Sequence, residues 1–142
     1  MMMSVLSQAN LVKVNQAELA LLSGTDNLEA GSHALLQHGL DLCVVTLGPE
    51  GSFFNTAAGS RRVPGFSVRT VDAIGCGDAF VAGLLTQLIA GGNWRDKLST
   101  AQLNHILRYA NAVGALTATR QGVIPVLPTS QEVAEFLEKN QS

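Results

Sequence analysis

Short β-branched runs alternate along this chain with stretches in which apolar residues recur every three or four positions. Residues 9–14 predict a strand. Asn15 then caps a helix that reaches about Leu22 and is closed by Ser23-Gly24. A second helix is predicted over about residues 27–37, ending at His38-Gly39. Residues 40–47 form an almost unbroken apolar run, which predicts a strand covered on both faces in a parallel sheet. Gly48-Pro49-Glu50-Gly51 is a turn, and residues 52–56 and 61–64 predict a hairpin across Ala57-Ala58-Gly59-Ser60. Residues 67–71 predict a strand running into a small-residue turn. A helix follows with Phe80, Val81, Leu84, Leu85 and Leu88 inward, ending at Gly91-Gly92. A polar connection over residues 93–97 leads into a long helix, about residues 100–118. Its predicted apolar face is Leu103, Ile106, Leu107, Ala110, Val113, Gly114 and Leu116. Residues 123–128 are extended, and a last helix over about 130–138 opens on a capping box, Thr129 with Glu132. Strands alternating with helices predict an α/β fold of three layers, α/β/α, with a mainly parallel sheet.

Composition narrows the class. A length of 142 residues suits a single domain, residues 1–142, that buries about two-thirds of its unfolded surface. Hydrophobic residues make up 46% and charged residues 14%, so a packed core is expected. A formal charge of -2 without a lysine run points away from nucleic acid and anionic membranes. The apolar runs are too short to span a bilayer, and the first residues do not read as a secretory signal. Two cysteines without CxxC spacing argue against a disulfide framework or a zinc site. The expected location is the reduced cytoplasm.

The candidate chemistry lies in the turn after residue 71. Gly75 and Gly77 let the backbone turn sharply before a helix whose first N–H groups have no intrahelical partner, an arrangement suited to phosphate. Asp78 sits inside that turn. It reads either as an acid stabilising the helix dipole or as a general base beside a bound phosphoryl group. A dinucleotide fingerprint fails at Phe80, and neither a P-loop nor a GxSxG elbow occurs. Asn15 and Glu18 have the spacing of a capping box, and equally suit a pair beside metal-bound phosphate. Thr46 to Gly51 end a buried strand, where open sheets bind ligands or simply turn. Lys13 reads as a surface lysine, His33, His38 and His105 as structural, and Cys43 as core. Cys76, at a helix N-terminus, is expected to be the oxidation-sensitive thiol.

The stretch Asp72-Ala73-Ile74-Gly75-Cys76-Gly77-Asp78-Ala79-Phe80 resembles the signature of the ribokinase-like sugar kinases, the phosphofructokinase-B family. Its usual form is Asp-Thr-Thr-Gly-Ala-Gly-Asp-Ala-Phe. Three further segments agree in order and spacing: Lys13-Val14-Asn15-Gln16-Ala17-Glu18, Val45-Thr46-Leu47-Gly48-Pro49-Glu50-Gly51, and Ala110-Asn111-Ala112 with Arg120-Gln121-Gly122. Within the family the chain is most similar to bacterial fructokinases. The resemblance implies a ribokinase-like fold, represented by its C-terminal portion only, with the N-terminal sugar-binding half and lid absent. It implies Asp78 as catalytic base and Gly75, Cys76 and Gly77 as the anion hole. It implies a nucleotide site at Thr46, Leu47, Gly48, Gly51, Asn111 and Asn15, with ATP and Mg2+ as cofactors. Glu18 would hold magnesium indirectly. A monovalent cation, K+, would lie at Asp72, Ile74, Thr117, Arg120 and Gly122, mostly on backbone carbonyls; Val126 falls where some members use a serine. The implied reaction is ATP-dependent phosphorylation of a sugar hydroxyl. The alternatives are a truncated or split-gene nucleotide-binding module needing an N-terminal partner half, and a nucleoside or phosphosugar kinase. The implied partners are a sugar, ATP, and either a second copy in a homodimer or the missing half.

Overall fold

The computed structural model describes residues 10–71, 75–120 and 127–140. The elements follow the predicted order. Strand β1 (Leu11–Asn15) leads into helix α1 (Gln16–Ser23), then α2 (Leu28–Leu36), β2 (Leu42–Thr46) and a 3-10 turn (Gly48–Glu50). Next come β3 (Gly51–Thr56), β4 (Gly59–Pro64), α3 (Cys76–Ile89), a second 3-10 turn (Trp94–Lys97), α4 (Thr100–Ala118) and α5 (Ser130–Lys139).

The caps explain most boundaries. The side chains of Asn27, Asn93 and Ser99 each accept a backbone N–H of the turn they open. Thr129 and Glu132 form the predicted capping box. Helix α1 stops at Gly24, whose left-handed φ of 79° any other residue would adopt only at a cost.

The sheet runs β1-β2-β3-β4. β1 and β2 are parallel, with Lys13 opposite Val44 and Asn15 opposite Thr46. β2–β3 and β3–β4 are antiparallel. Among the described residues the sheet is therefore mixed rather than mainly parallel, because the hairpin at Thr56–Gly59 supplies half its strands. Helices α1 and α2 cover one face through Leu19 and Leu35, over Val14, Cys43, Val45 and Phe53. Helices α3 and α4 cover the other, setting Phe80, Leu84, Leu88, Leu103 and Leu107 over Leu42, Val44, Phe54 and Val63. The three layers are thus present. β2, central and buried on both sides from Leu42 to Val45, accounts for the unbroken apolar run.

Two details depart from expectation. Residues 67–71 do not form a strand. The sheet ends at β4, and among the described residues no strand lies beside this segment; Val71 instead donates to Ala118 O at 2.7 Å. Phe66 and Val68 pack into a third cluster under α5, where the Phe66 and Phe136 rings meet edge to face at 5.0 Å. On α3, Phe80, Leu84 and Leu88 repeat every four residues and are buried. Val81 and Leu85 lie about 100° further round, so Val81 is half-buried and Leu85 exposed. No helix among the described residues is long and apolar enough to cross a membrane.

Candidate active site

The site begins at the left-handed turn before α3. Gly75 has φ 83° and ψ -2°, a conformation that only glycine adopts readily, and its carbonyl accepts the N–H of Ala79 at 2.9 Å. Among the described residues no side-chain cap of this helix is seen. Its first amides and its dipole therefore present a positive end, at which an anion is stabilised. Cys76 is half-buried, while Gly77 and Asp78 are exposed. Among the described residues, no hydrogen bond or ion pair holds the Asp78 carboxylate.

β1 points at the same place. Asn15, its last residue, accepts the N–H of Glu18 on Oδ1 at 2.8 Å, and Glu18 Oε1 accepts the N–H of Asn15 at 2.9 Å. The capping-box reading of this pair is thus correct. Glu18 stays exposed. Lys13, two residues earlier, is half-buried, and its Nζ lies 3.9 Å from the position a Cβ on Gly77 would occupy. Val12 and Val14 face α1 and α2, so Lys13 lies on the face toward α3.

A cleft of about 920 Å³ runs from this turn across the ends of the strands, a size common for small-molecule sites. It is lined by Cys76, Gly77 and Asn15, by Thr46, Gly48 and Gly51, and by Asn111 and Gly114 of α4. Gly51 is required here: φ is 110°, and a Cβ would stand 2.1 Å from Val63 O. Asn111 is buried, and its amide donates to Val63 O and Pro64 O, each at 3.2 Å. These two bonds tie α4 to the end of β4 and set the width of the cleft. Leu47 does not line it. Its side chain is buried with Val45 and Phe53, and only its backbone, donating to Gly51 O at 2.9 Å, borders the turn. The pattern of the sequence did not reveal Pro64, Phe66, Ala115 and Ala118, which also line the cleft, or the ion pair of Arg62 and Glu50 at 3.4 Å. They come from segments whose apolar residues read equally well as core.

Arg120 follows α4, and its guanidinium pairs with Glu132. The backbone N–H of Thr129, joined by Arg120, holds the Glu132 carboxyl below its ordinary range. This pair anchors α5 to the end of α4. Asp72, Ile74, Gly122 and Val126 lie outside the described residues. Among the described residues no group of three or more His, Cys, Asp or Glu side chains is placed to hold a metal.

Comparison with known proteins gives one result throughout. The family model described as pfkB family carbohydrate kinase matches residues 1–130. Fructokinase-2 of Solanum lycopersicum is 38% identical over 136 residues, covering 95% of this chain and 41% of that protein. A double mutant of the Vibrio cholerae O395 fructokinase, solved with fructose, ADP and potassium ion, superposes with a TM-score of 0.84 at 35% identity. The match covers 95% of this chain and 43% of that one. The aminoimidazole riboside kinase of Salmonella enterica, complexed with aminoimidazole riboside and an ATP analog, gives 0.81 at 32% identity. It covers 96% of this chain and 44% of that one. The chain thus spans about two-fifths of the length of the proteins it matches, and its α/β fold is the one that these kinases share.

Proposed function

The chain belongs to the pfkB family of carbohydrate kinases, and from that membership we propose that it carries the nucleotide-binding and phosphoryl-transfer side of a fructokinase-like enzyme. The observation that carries this reading is the cleft itself. It joins the N-terminus of α3 to the ends of β1 and β2 and to Asn111 in one continuous surface. The family resemblance had assigned these same separate segments to phosphate and nucleotide.

ATP would supply the phosphoryl group, with Mg2+ balancing its charge. In this reading the backbone amides of Gly75, Cys76 and Gly77 hold the oxygens of the group in transit, where fixed dipoles need no reorganisation as charge shifts. Asp78 takes the proton of the attacking sugar hydroxyl; the new O–P bond forms as the bond to the leaving ADP breaks. The exposure of Asp78 supports this role, since a base must reach its proton. Asn15 positions phosphate beside the turn, and Glu18 meets magnesium through water. Thr46, Gly48, Gly51, the backbone of Leu47, and Asn111 line the nucleotide. Potassium would belong at Asp72, Ile74, Thr117, Arg120 and Gly122, of which Thr117 and Arg120 lie among the described residues.

The test is phosphotransfer from ATP to fructose, with riboside acceptors alongside. Asp78→Asn is expected to lower the rate by about 10²–10⁴-fold while leaving nucleotide binding unchanged. A wild-type chain that transfers phosphate no faster than Asp78→Asn sinks the catalytic part of the reading. A second reading is favoured by the chain's coverage of 41–43% of its relatives: a nucleotide-binding module active only with an N-terminal partner half. Activity that appears only on adding that half would select it. Preference for the riboside would instead change the acceptor to a nucleoside.

A further inference from the structure

Arg108 of α4 is a half-buried arginine, and among the described residues no carboxylate pairs with it. Its guanidinium has two other partners. The Cζ stands 4.8 Å from the centroid of the Phe66 ring. Nη2 donates to the carbonyl of Asn140, the C-cap residue of α5, at 3.0 Å. A planar cation is stabilised both by an aromatic face and by the carbonyl end of a helix. Phe66 is thereby held by two groups, Arg108 and the Phe136 ring of α5 that meets it edge to face. Phe66 lines the cleft, while Arg108 and Phe136 do not. The two therefore brace a wall of the cleft without entering it. Asn111, one turn after Arg108 and on the same helix face, bonds to Val63 O and Pro64 O. Together Asn111 and Arg108 fasten the segment that leaves β4 to α4.

We propose that Arg108 is a positioning residue of the nucleotide cleft: it fixes the Phe66 ring as the wall against which the nucleobase packs. This rests on the nucleotide reading above. Pro64, Val68, Ala115 and Ala118 line the same cleft as Phe66. Phosphate gains nothing from such an apolar surface, whereas the flat face of a base does, and most from an aromatic ring. Arg108 itself touches neither nucleotide nor reacting atoms. Its contribution is preorganisation: a ring already held in place loses no freedom when the base arrives. The competing role is anchorage of α5 alone, through Asn140 O.

The experiment is calorimetric binding of ATP and of inorganic tripolyphosphate, each with Mg2+, to the full chain as wild type, Arg108→Met, Arg108→Lys, Phe66→Leu and the double variant Arg108→Met with Phe66→Leu. Tripolyphosphate offers the phosphates without the base. Methionine keeps an apolar stem and removes the cation. Arg108→Met is expected to weaken ATP about 3- to 10-fold, the worth of a half-buried cation–π contact, and to leave tripolyphosphate within about twofold. Arg108→Lys, which keeps a cation for the ring, should recover part of the loss. In the Phe66→Leu background, Arg108→Met should cost ATP nothing further, because the ring it acts through is gone. Equal losses for ATP and tripolyphosphate, unchanged ATP affinity, or additive losses in the double variant each overturn the proposal, in favour of anchorage. Should Phe66→Leu not fold, the ratio of ATP to tripolyphosphate affinity in Arg108→Met decides alone. A wild-type chain that binds tripolyphosphate as tightly as ATP refutes the base-packing wall only. One that binds neither refutes the nucleotide reading itself, and this inference with it.

Discussion

Gly83 of α3 lies against Val113 of α4 so closely that a Cβ added to it would stand 2.9 Å from Val113 Cγ2 and 3.2 Å from Ala110 Cα. The two helices approach as they do because this position has no side chain. Gly83→Ala is therefore expected to destabilise the fold by about 1–3 kcal/mol through overpacking. This holds even though alanine is about 1 kcal/mol the better helix former. Gly114, one turn further along α4, is the control: its added Cβ meets nothing nearer than Cys76 O at 3.5 Å. Gly114→Ala should be neutral or stabilising by up to about 1 kcal/mol. Urea unfolding of the two variants checks the contrast. Equal effects would mean that the α3–α4 spacing adapts freely.

The reciprocal bonds of Asn15 and Glu18 predict a second pattern. Asn15→Ala leaves the N–H of Glu18 without its acceptor and should cost about 1 kcal/mol. Glu18→Ala frees the N–H of Asn15 and costs somewhat less. Because the two bonds close one ring, the double variant should lose less than the sum. Glu18→Gln keeps a carbonyl oxygen for the cap and so preserves stability while removing the charge. Any loss in magnesium-dependent nucleotide binding by Glu18→Gln then reports on the metal and not on the helix. Unfolding curves for the four proteins, with binding measured on Glu18→Gln, separate the two roles.

Local signals made most of the architecture legible. Asn15, Asn27 and Thr129 marked helix starts because capping depends on residues within one turn. The run at Leu42–Thr46 marked a central strand because both of its faces are covered. Residues 67–71 misled for the complementary reason. Their β-branched content favours a strand, but a strand needs a partner, and partnership is decided far away in the chain. Leu85 misled because one apolar residue cannot say where a helix's buried stripe ends. At the site, the glycine turn was readable from the spacing of Gly75 and Gly77. The approach of Lys13 to Gly77 was not, since 64 residues separate them and the packing of α3 on the sheet brings them together.

The two cysteines give a pH-dependent prediction. Cys43 is fully buried in β2, and burial pushes its thiol from 9.0 up to about 12. A group whose folded pKa is raised contributes full stability below its unfolded value and loses it as pH climbs toward the folded one. Between pH 9.0 and about 12 the unfolded chain ionises Cys43 while the folded chain does not. Wild-type stability should therefore decline across that window, by on the order of 2–4 kcal/mol. Cys43→Ala, less stable at neutral pH because of the cavity it leaves, should lack that part of the decline, so the gap between the two proteins narrows as pH rises. Other alkaline titrations act on both proteins and cancel in the comparison. The same burial makes Cys43 inert to alkylation in the folded chain. Cys76 is half-buried at the cleft, so one label per chain is expected, on Cys76, followed by a second only on unfolding. Nucleotide bound in the cleft that Cys76 lines should slow that first label. Mass spectrometry of the alkylated protein reads both steps. Labelling of Cys43 at the rate of Cys76 would show that β2 opens without global unfolding and would remove the basis for the alkaline decline.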